Sequence, residues 1–204
     1  MDRIPEQVSA FTPSTIAAII IAASFAAGLN VYATVLTLGL LAHTPWVILP
    51  PGLEILGNWV VIAVSGTLFV AEFIADKIPG LDMVWNALHT FIRVPVAGLL
   101  AYRASSHLSP EMQLLATLGG AAIAMVAHSS KTAVRAVVTP SPEPVSNIAL
   151  STGEDGIAIG LTWLLTAHPW TAASIAIAFI VIAILMTHWV VEALRRTWTR
   201  LQTI

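Results

Sequence analysis

The chain contains no cysteine in 204 residues, which excludes disulfides, thiolate metal sites and cysteine nucleophiles. Charge is scarce as well: only 10% of residues are Asp, Glu, Lys or Arg, against about 25% in soluble domains. Nine basic and eleven acidic residues leave a net charge of −2, so there is no basic field to attract nucleic acid. Neither a His-Glu-x-x-His nor a Walker sequence is present, so the common zinc-hydrolase and nucleotide-binding signatures are missing. Ala-Val-Ser-Gly at 63–66 lacks the first glycine of the Gly-x-Ser-Gly motif of intramembrane serine proteases, and Ser65 reads as a small packing residue. In His-Ser-Ser-Lys at 128–131, neither serine shares a helix face with both flanking residues. The expectation is a non-enzyme without cofactor or resident metal.

Apolar residues fill the space that charge leaves. They make up 57% of the chain, and mean hydropathy is +0.84. Several apolar runs approach or exceed the roughly 20 residues that cross a bilayer as helix. The polar start, MDRIPEQVSAFTPS, does not have the form of a cleavable signal peptide, so the first span is expected to be retained.

Six spans are predicted. The first covers 15–43, with Ser14 as its N-cap and an interruption at Gly28-Leu29-Asn30. The second is 59–75, ended by Pro79-Gly80, and the third is 81–102, kinked at Pro95. The fourth is 112–138, the fifth is 145–167 beyond the stop signal TPSPEP at 139–144, and the sixth is 170–194. Gly98, Gly119 and Gly120 suit close helix contacts. The fold class is an all-α polytopic transmembrane bundle, one integral-membrane domain over 1–204, with repeat halves near 15–104 and 112–194. An even number of crossings puts both termini on one side. Arg3, Lys77, Arg93, Lys131, Arg135, Arg195, Arg196 and Arg200 fall toward that side and only Arg103 toward the other, which makes the termini cytoplasmic.

The repeat is carried by two segments. GLNVYATVLTLGLLAHTPW (28–46) aligns with GEDGIAIGLTWLLTAHPW (153–170) when Thr44 is skipped, giving nine identities in 18 positions. Asn30 falls opposite Asp155. Glycine-interrupted apolar segments in two halves of a chain point to a transporter-like site, because an interrupted helix frees backbone polar groups that must be satisfied. Whether the repeat is parallel or inverted stays open at this point.

The scarce charges cluster. Glu72, Asp76, Lys77, Asp82, His89 and Arg93 fall within 22 positions. Glu72 and Asp76 are i,i+4 and share one helix face, where two carboxylates near hydrocarbon require compensation. His89 and Arg93 share a face of the third span and are candidate partners for Asp82, Asp76 or Glu72. His128, Lys131 and Arg135, at i, i+3 and i+7, make one face of the fourth span basic. That face reads either as the counter-surface to the acids or an anionic substrate, or as snorkelling residues at a helix end. Glu154 and Asp155 sit between Gly153 and Gly156, as a binding pair or as acids favoured near a helix N-terminus.

Three stretches, AASFAAGLNVYATVLTLGLLA (22–42), VAEFIADKIPGLDMVWNALHTFIRVPVAGLLA (70–101) and HSSKTAVRAVVTPSPEPVSNIALSTGED (128–155), together resemble a family of short polytopic bacterial membrane proteins with plant relatives, catalogued as a domain of unknown function. The resemblance implies a multi-span fold in the bacterial cytoplasmic membrane and brings no substrate with it. The expected function is a secondary transporter or channel-like carrier for a small ion or solute. Asn30, Glu72, Asp76, Lys77, Asp82, His89, Arg93, His128, Lys131, Arg135, Glu154 and Asp155 would then form a charged midplane site. The alternative is a non-transporting assembly or lipid-binding protein whose charges are structural ion pairs. Expected partners are membrane lipids, the transported species and a second copy of the chain.

Overall fold

In the computed structural model, residues 11–78, 80–138 and 144–202 are described; Arg3, Pro79 and most of the TPSPEP stop signal lie outside them. The described residues form seven α-helices and one short 3-10 helix, with no strand among them. Helices α1 (Pro13–Leu29) and α2 (Val31–Leu41) are separated by one extended residue, Asn30. The 3-10 helix Pro51–Gly57 leads into α3 (Trp59–Ala75), followed by α4 (Leu81–Ala104) and α5 (Pro110–Val138). Helices α6 (Pro144–Ala167) and α7 (Pro169–Gln202) complete the bundle.

The chain is an all-α polytopic helix bundle. Helices α4, α5 and α7 are each long and apolar enough to cross a membrane, and the 3-10 helix with α3, bent by 69°, has the length and composition of a broken span or a re-entrant loop. Helices α1–α2 and α6 supply the remaining apolar lengths, so about six crossings fit. Helix α4 shows how such a bundle is turned out: Phe91 is 82% exposed while Arg93, two residues on, is fully buried. Large apolar side chains cover the outside and charge is held within.

Helix α1 is apolar on every side and occupies the centre, packed against α4, α5, α6 and α7. An all-round apolar helix needs neighbours on all sides. Its N-cap is Thr12, whose hydroxyl accepts from Thr15 N at 3.2 Å, and Pro13 opens the first turn. The cap therefore falls two residues before the expected Ser14, because proline is favoured as the first helical residue and moves the cap to its predecessor. Close approach depends on two glycines. A Cβ on Gly28 would stand 2.6 Å from the Ala124 carbonyl of α5, and one on Gly120 would stand 2.7 Å from Ala101 Cβ of α4.

The break at Asn30 is built by its own side chain. Asn30 Oδ1 accepts from Ala33 N at 2.9 Å, taking over an N–H that a continuous helix would direct at Leu29. Thr34 Oγ1 adds a bond to the Asn30 carbonyl at 2.9 Å. No such break occurs at Gly153, where α6 runs on unbroken. Asp155 turns its side chain toward Asn30 rather than its own backbone, and nothing approaches Gly153 closely. Only one of the two repeat segments is thus an interrupted helix. Helix α4 likewise continues through Pro95. Arg93, Lys131 and Arg135 are buried, so they do not count toward membrane orientation.

Candidate functional site

Four helices and the α1–α2 break bring the scarce charges together. The last turn of α3 supplies Glu72, and the turn after it supplies Asp76. Helix α4 contributes Asp82, Asn86 and Arg93 at i, i+4 and i+11, one inward stripe about 16 Å long at 1.5 Å per residue. Helix α5 contributes His128, Lys131 and Arg135, and α6 contributes Glu154 and Asp155. The cluster therefore runs from one end of α4 to its middle. All are buried except Glu154, which keeps 13% of its side chain exposed.

Arg93 pairs with Glu72, and its second terminal nitrogen donates to Asn86 Oδ1 and His128 Nδ1, both at 2.9 Å. Arginine cannot accept a hydrogen bond, so His128 Nδ1 carries a lone pair and its ring is neutral. Its Nε2 then donates to Thr90 Oγ1 at 2.6 Å. Arg135 donates to Glu154 Oε2 at 2.7 Å, to Asp76 Oδ2 at 3.2 Å and to the Asp76 carbonyl at 3.1 Å, with Asp82 Oδ2 at 3.5 Å. The Lys131 ammonium lies 2.8 Å from Asp76 Oδ2, 3.3 Å from Glu154 Oε2 and 3.8 Å from Glu72 Oε1. It also donates to the Leu29 carbonyl at 3.3 Å, one of the groups freed by the break. Asn30 Nδ2 closes the break against α6 by donating to Asp155 Oδ1 at 2.8 Å.

Among the described residues, five carboxyl groups, Glu72, Asp76, Asp82, Glu154 and Asp155, meet three Lys and Arg side chains within the cluster, and Lys77 adds a fourth positive charge at longer range. Glu72 Oε2 and Asp155 Oδ2 have no hydrogen-bond partner, although buried carboxylate oxygens ordinarily do. In the turn outside the spans, burial would push the Asp76 carboxyl up, but Lys131 and Arg135 outweigh it and hold it below the usual carboxylate range. All three bases are bonded to carboxylates, and Arg93 Nε, like the two carboxylate oxygens, has no hydrogen-bond partner.

Two of the sequence candidates stand apart. Lys77 makes no ion pair with the acids among the described residues, although Asp155 and Asp76 act on it at longer range; its ammonium sits 3.0 Å above the Phe73 ring and donates to the Phe73 carbonyl at 3.1 Å. The residue four back lies beneath it on the helix. His89 pairs with no acid. Its Nδ1 donates to the Trp85 carbonyl at 2.7 Å, and its Nε2 meets the Tyr32 hydroxyl at 3.1 Å. Sequence reasoning missed Asn86 and Tyr32, and Asn86 was visible as the i+4 neighbour of Asp82 on the Arg93 stripe. Among the described residues, no group of three or more His, Asp or Glu is arranged to hold a metal ion.

No curated protein and no solved structure matches the chain. A family model described as a domain of unknown function (DUF4126) matches residues 17–189, which include every member of the charge cluster. With most of its length and its whole buried polar centre inside that match, the chain belongs to this family.

Proposed function

We propose that the protein is a small carrier or channel-like protein of the bacterial cytoplasmic membrane, with both termini in the cytoplasm, and that the buried charge cluster binds the ion or solute it moves. The observation that carries this reading is the excess of acid beside an interrupted helix. Among the described residues, five clustered carboxyl groups against three bases bonded to them, with no hydrogen-bond partner for Glu72 Oε2 and Asp155 Oδ2, is a costly arrangement in a membrane protein's interior. A set of purely structural ion pairs has no reason to keep surplus charge. A site that must accept and release a positive charge does. The Asn30 break supplies what such a site uses, a free main-chain carbonyl and an adaptable side chain at the same place. The test is flux in proteoliposomes under an imposed pH or cation gradient. Wild-type protein transports, and Glu72→Gln and Asp155→Asn each abolish the flux. Unchanged flux in both variants refutes the reading.

One observation favours a second reading, a non-transporting assembly or lipid-binding protein. A cavity of about 660 Å³ lies between α5 and α7, with Met125 and Ile184 on its apolar wall and His188, Glu192 and Arg195 among its polar residues. That combination suits a phospholipid. Absent flux, together with lipid that stays bound through purification, decides for it.

A further inference from the structure

We propose that the Lys131 ammonium occupies the seat of an ammonium-type monovalent cation, and that a free cation and Lys131 alternate there. This rests on the carrier reading above and names its substrate class. The seat is made of oxygen alone: Asp76 Oδ2 at 2.8 Å, Glu154 Oε2 and the Leu29 carbonyl each at 3.3 Å, and Glu72 Oε1 at 3.8 Å. Three carboxylates and one main-chain carbonyl around an ammonium are a donor set for an ammonium-type cation, not for a metal ion. The Leu29 carbonyl belongs to the C-terminal end of α1, where the helix dipole adds negative potential.

The two arginines are held through several nitrogens each, the lysine through one. Arg93 is gripped by Glu72, Asn86 and His128, and Arg135 reaches Asp76, Asp82 and Glu154, each through a planar fork. Lys131 holds its place with one ammonium on a flexible four-carbon stem. An ammonium has three hydrogens to give, yet four oxygens surround it within 3.8 Å. A free cation of the same valence keeps the charge of the seat itself unchanged, and the displaced ammonium adds one positive charge beside it. Glu72 Oε2 and Asp155 Oδ2, both on buried residues, have no hydrogen-bond partner and so keep acceptor capacity for a cation that enters while Lys131 is still near.

The experiment uses the full chain in nanodiscs. Thermal unfolding is followed by tryptophan fluorescence while choline chloride is replaced, at constant ionic strength, by sodium, potassium, ammonium or methylammonium chloride. Lys131→Ala empties the seat, so ammonium or methylammonium should raise its melting temperature by about 4 °C or more. Wild type and Lys131→Arg, whose seats stay filled, should shift little. A Lys131→Ala protein indifferent to both overturns the proposal. If that variant does not fold, mass-spectrometric acetylation footprinting of wild type replaces it. A cation that displaces the ammonium raises labelling of Lys131 several-fold, and unchanged labelling with ammonium and methylammonium overturns the proposal. Flux separates this from the parent reading. Transport without any cation response keeps the carrier and removes the seat, whereas a cation response without transport keeps the seat and removes the carrier.

Discussion

Replacing Arg93 should be far more damaging than replacing the acid it holds. Arg93→Met takes away the guanidinium that serves Glu72, Asn86 and His128, three buried groups. The nearest cation left to Glu72 is Lys131 at 3.8 Å, too far for a hydrogen bond. The surplus of carboxyl charge rises from two to three. Stranding one member of a buried pair costs about 3–5 kcal/mol. For a chain of this length that lowers the melting temperature by roughly 6–20 °C, at about 2–4 °C per kcal/mol. Glu72→Gln works the other way on the charge count, reducing the surplus to one. The amide oxygen still accepts from Arg93, so the loss is confined to one charge-assisted bond, about 1.5–3 kcal/mol. The double variant leaves Asn86 and His128 without their donor but strands no charge, so it should be more stable than Arg93→Met alone. Thermal unfolding of the four proteins in one detergent or nanodisc preparation, read as a double-mutant cycle, gives the answer. If Arg93→Met is milder than Glu72→Gln, or the double variant is no better than Arg93→Met, the imbalance argued here is wrong.

Two further outcomes follow from the break and from the central helix. Asn30→Ala removes the α2 cap and the partner of Asp155 together; a cap alone is worth about 0.5–2 kcal/mol, and hydrogen–deuterium exchange should rise first in residues 31–34. Gly28→Ala forces α1 away from α5, since its Cβ would meet Ala124 and Ala127 at 2.6–2.7 Å. Overpacking of this kind costs about 1–3 kcal/mol, and a melting temperature equal to that of wild type would show that the helices are not in such contact.

Much of this was legible in the residues. The apolar runs located the helices to within a few residues, except that α7 runs on to Gln202, eight residues past the expected end, because hydrophobic length marks a bilayer crossing and not where a helix stops. The i, i+3, i+7 spacing of His128, Lys131 and Arg135 foretold one basic face, and Gly28-Leu29-Asn30 marked the break. Asn30 and Asp155, matched by the repeat, turn out to be bonded to each other. What periodicity could not supply was the rotation of one helix against another. Lys77 and Lys131 are the same residue type near the same acids, and a single turn after Ala75 sets one above the Phe73 ring while α5 carries the other onto Asp76. The break at Asn30 and the continuity at Gly153 hinge on where one side chain bonds, which residue type does not reveal. The Leu29 carbonyl, a main-chain group, leaves no mark in a sequence at all.

The buried pairs also set a timetable for biogenesis. Glu72 and Arg93 emerge from the ribosome 21 residues apart, but Lys131 and Arg135 follow only after another 38 to 42 residues. Until then Asp76 and Asp82 lack the bases that neutralise them in the finished protein. Asp76 and Asp82 lie at helix ends, where a charge opposes insertion by less than the roughly 2.5–3.5 kcal/mol of a helix centre. The arrangement therefore predicts that α3 and α4 enter without α5 and reach their final packing only once it arrives.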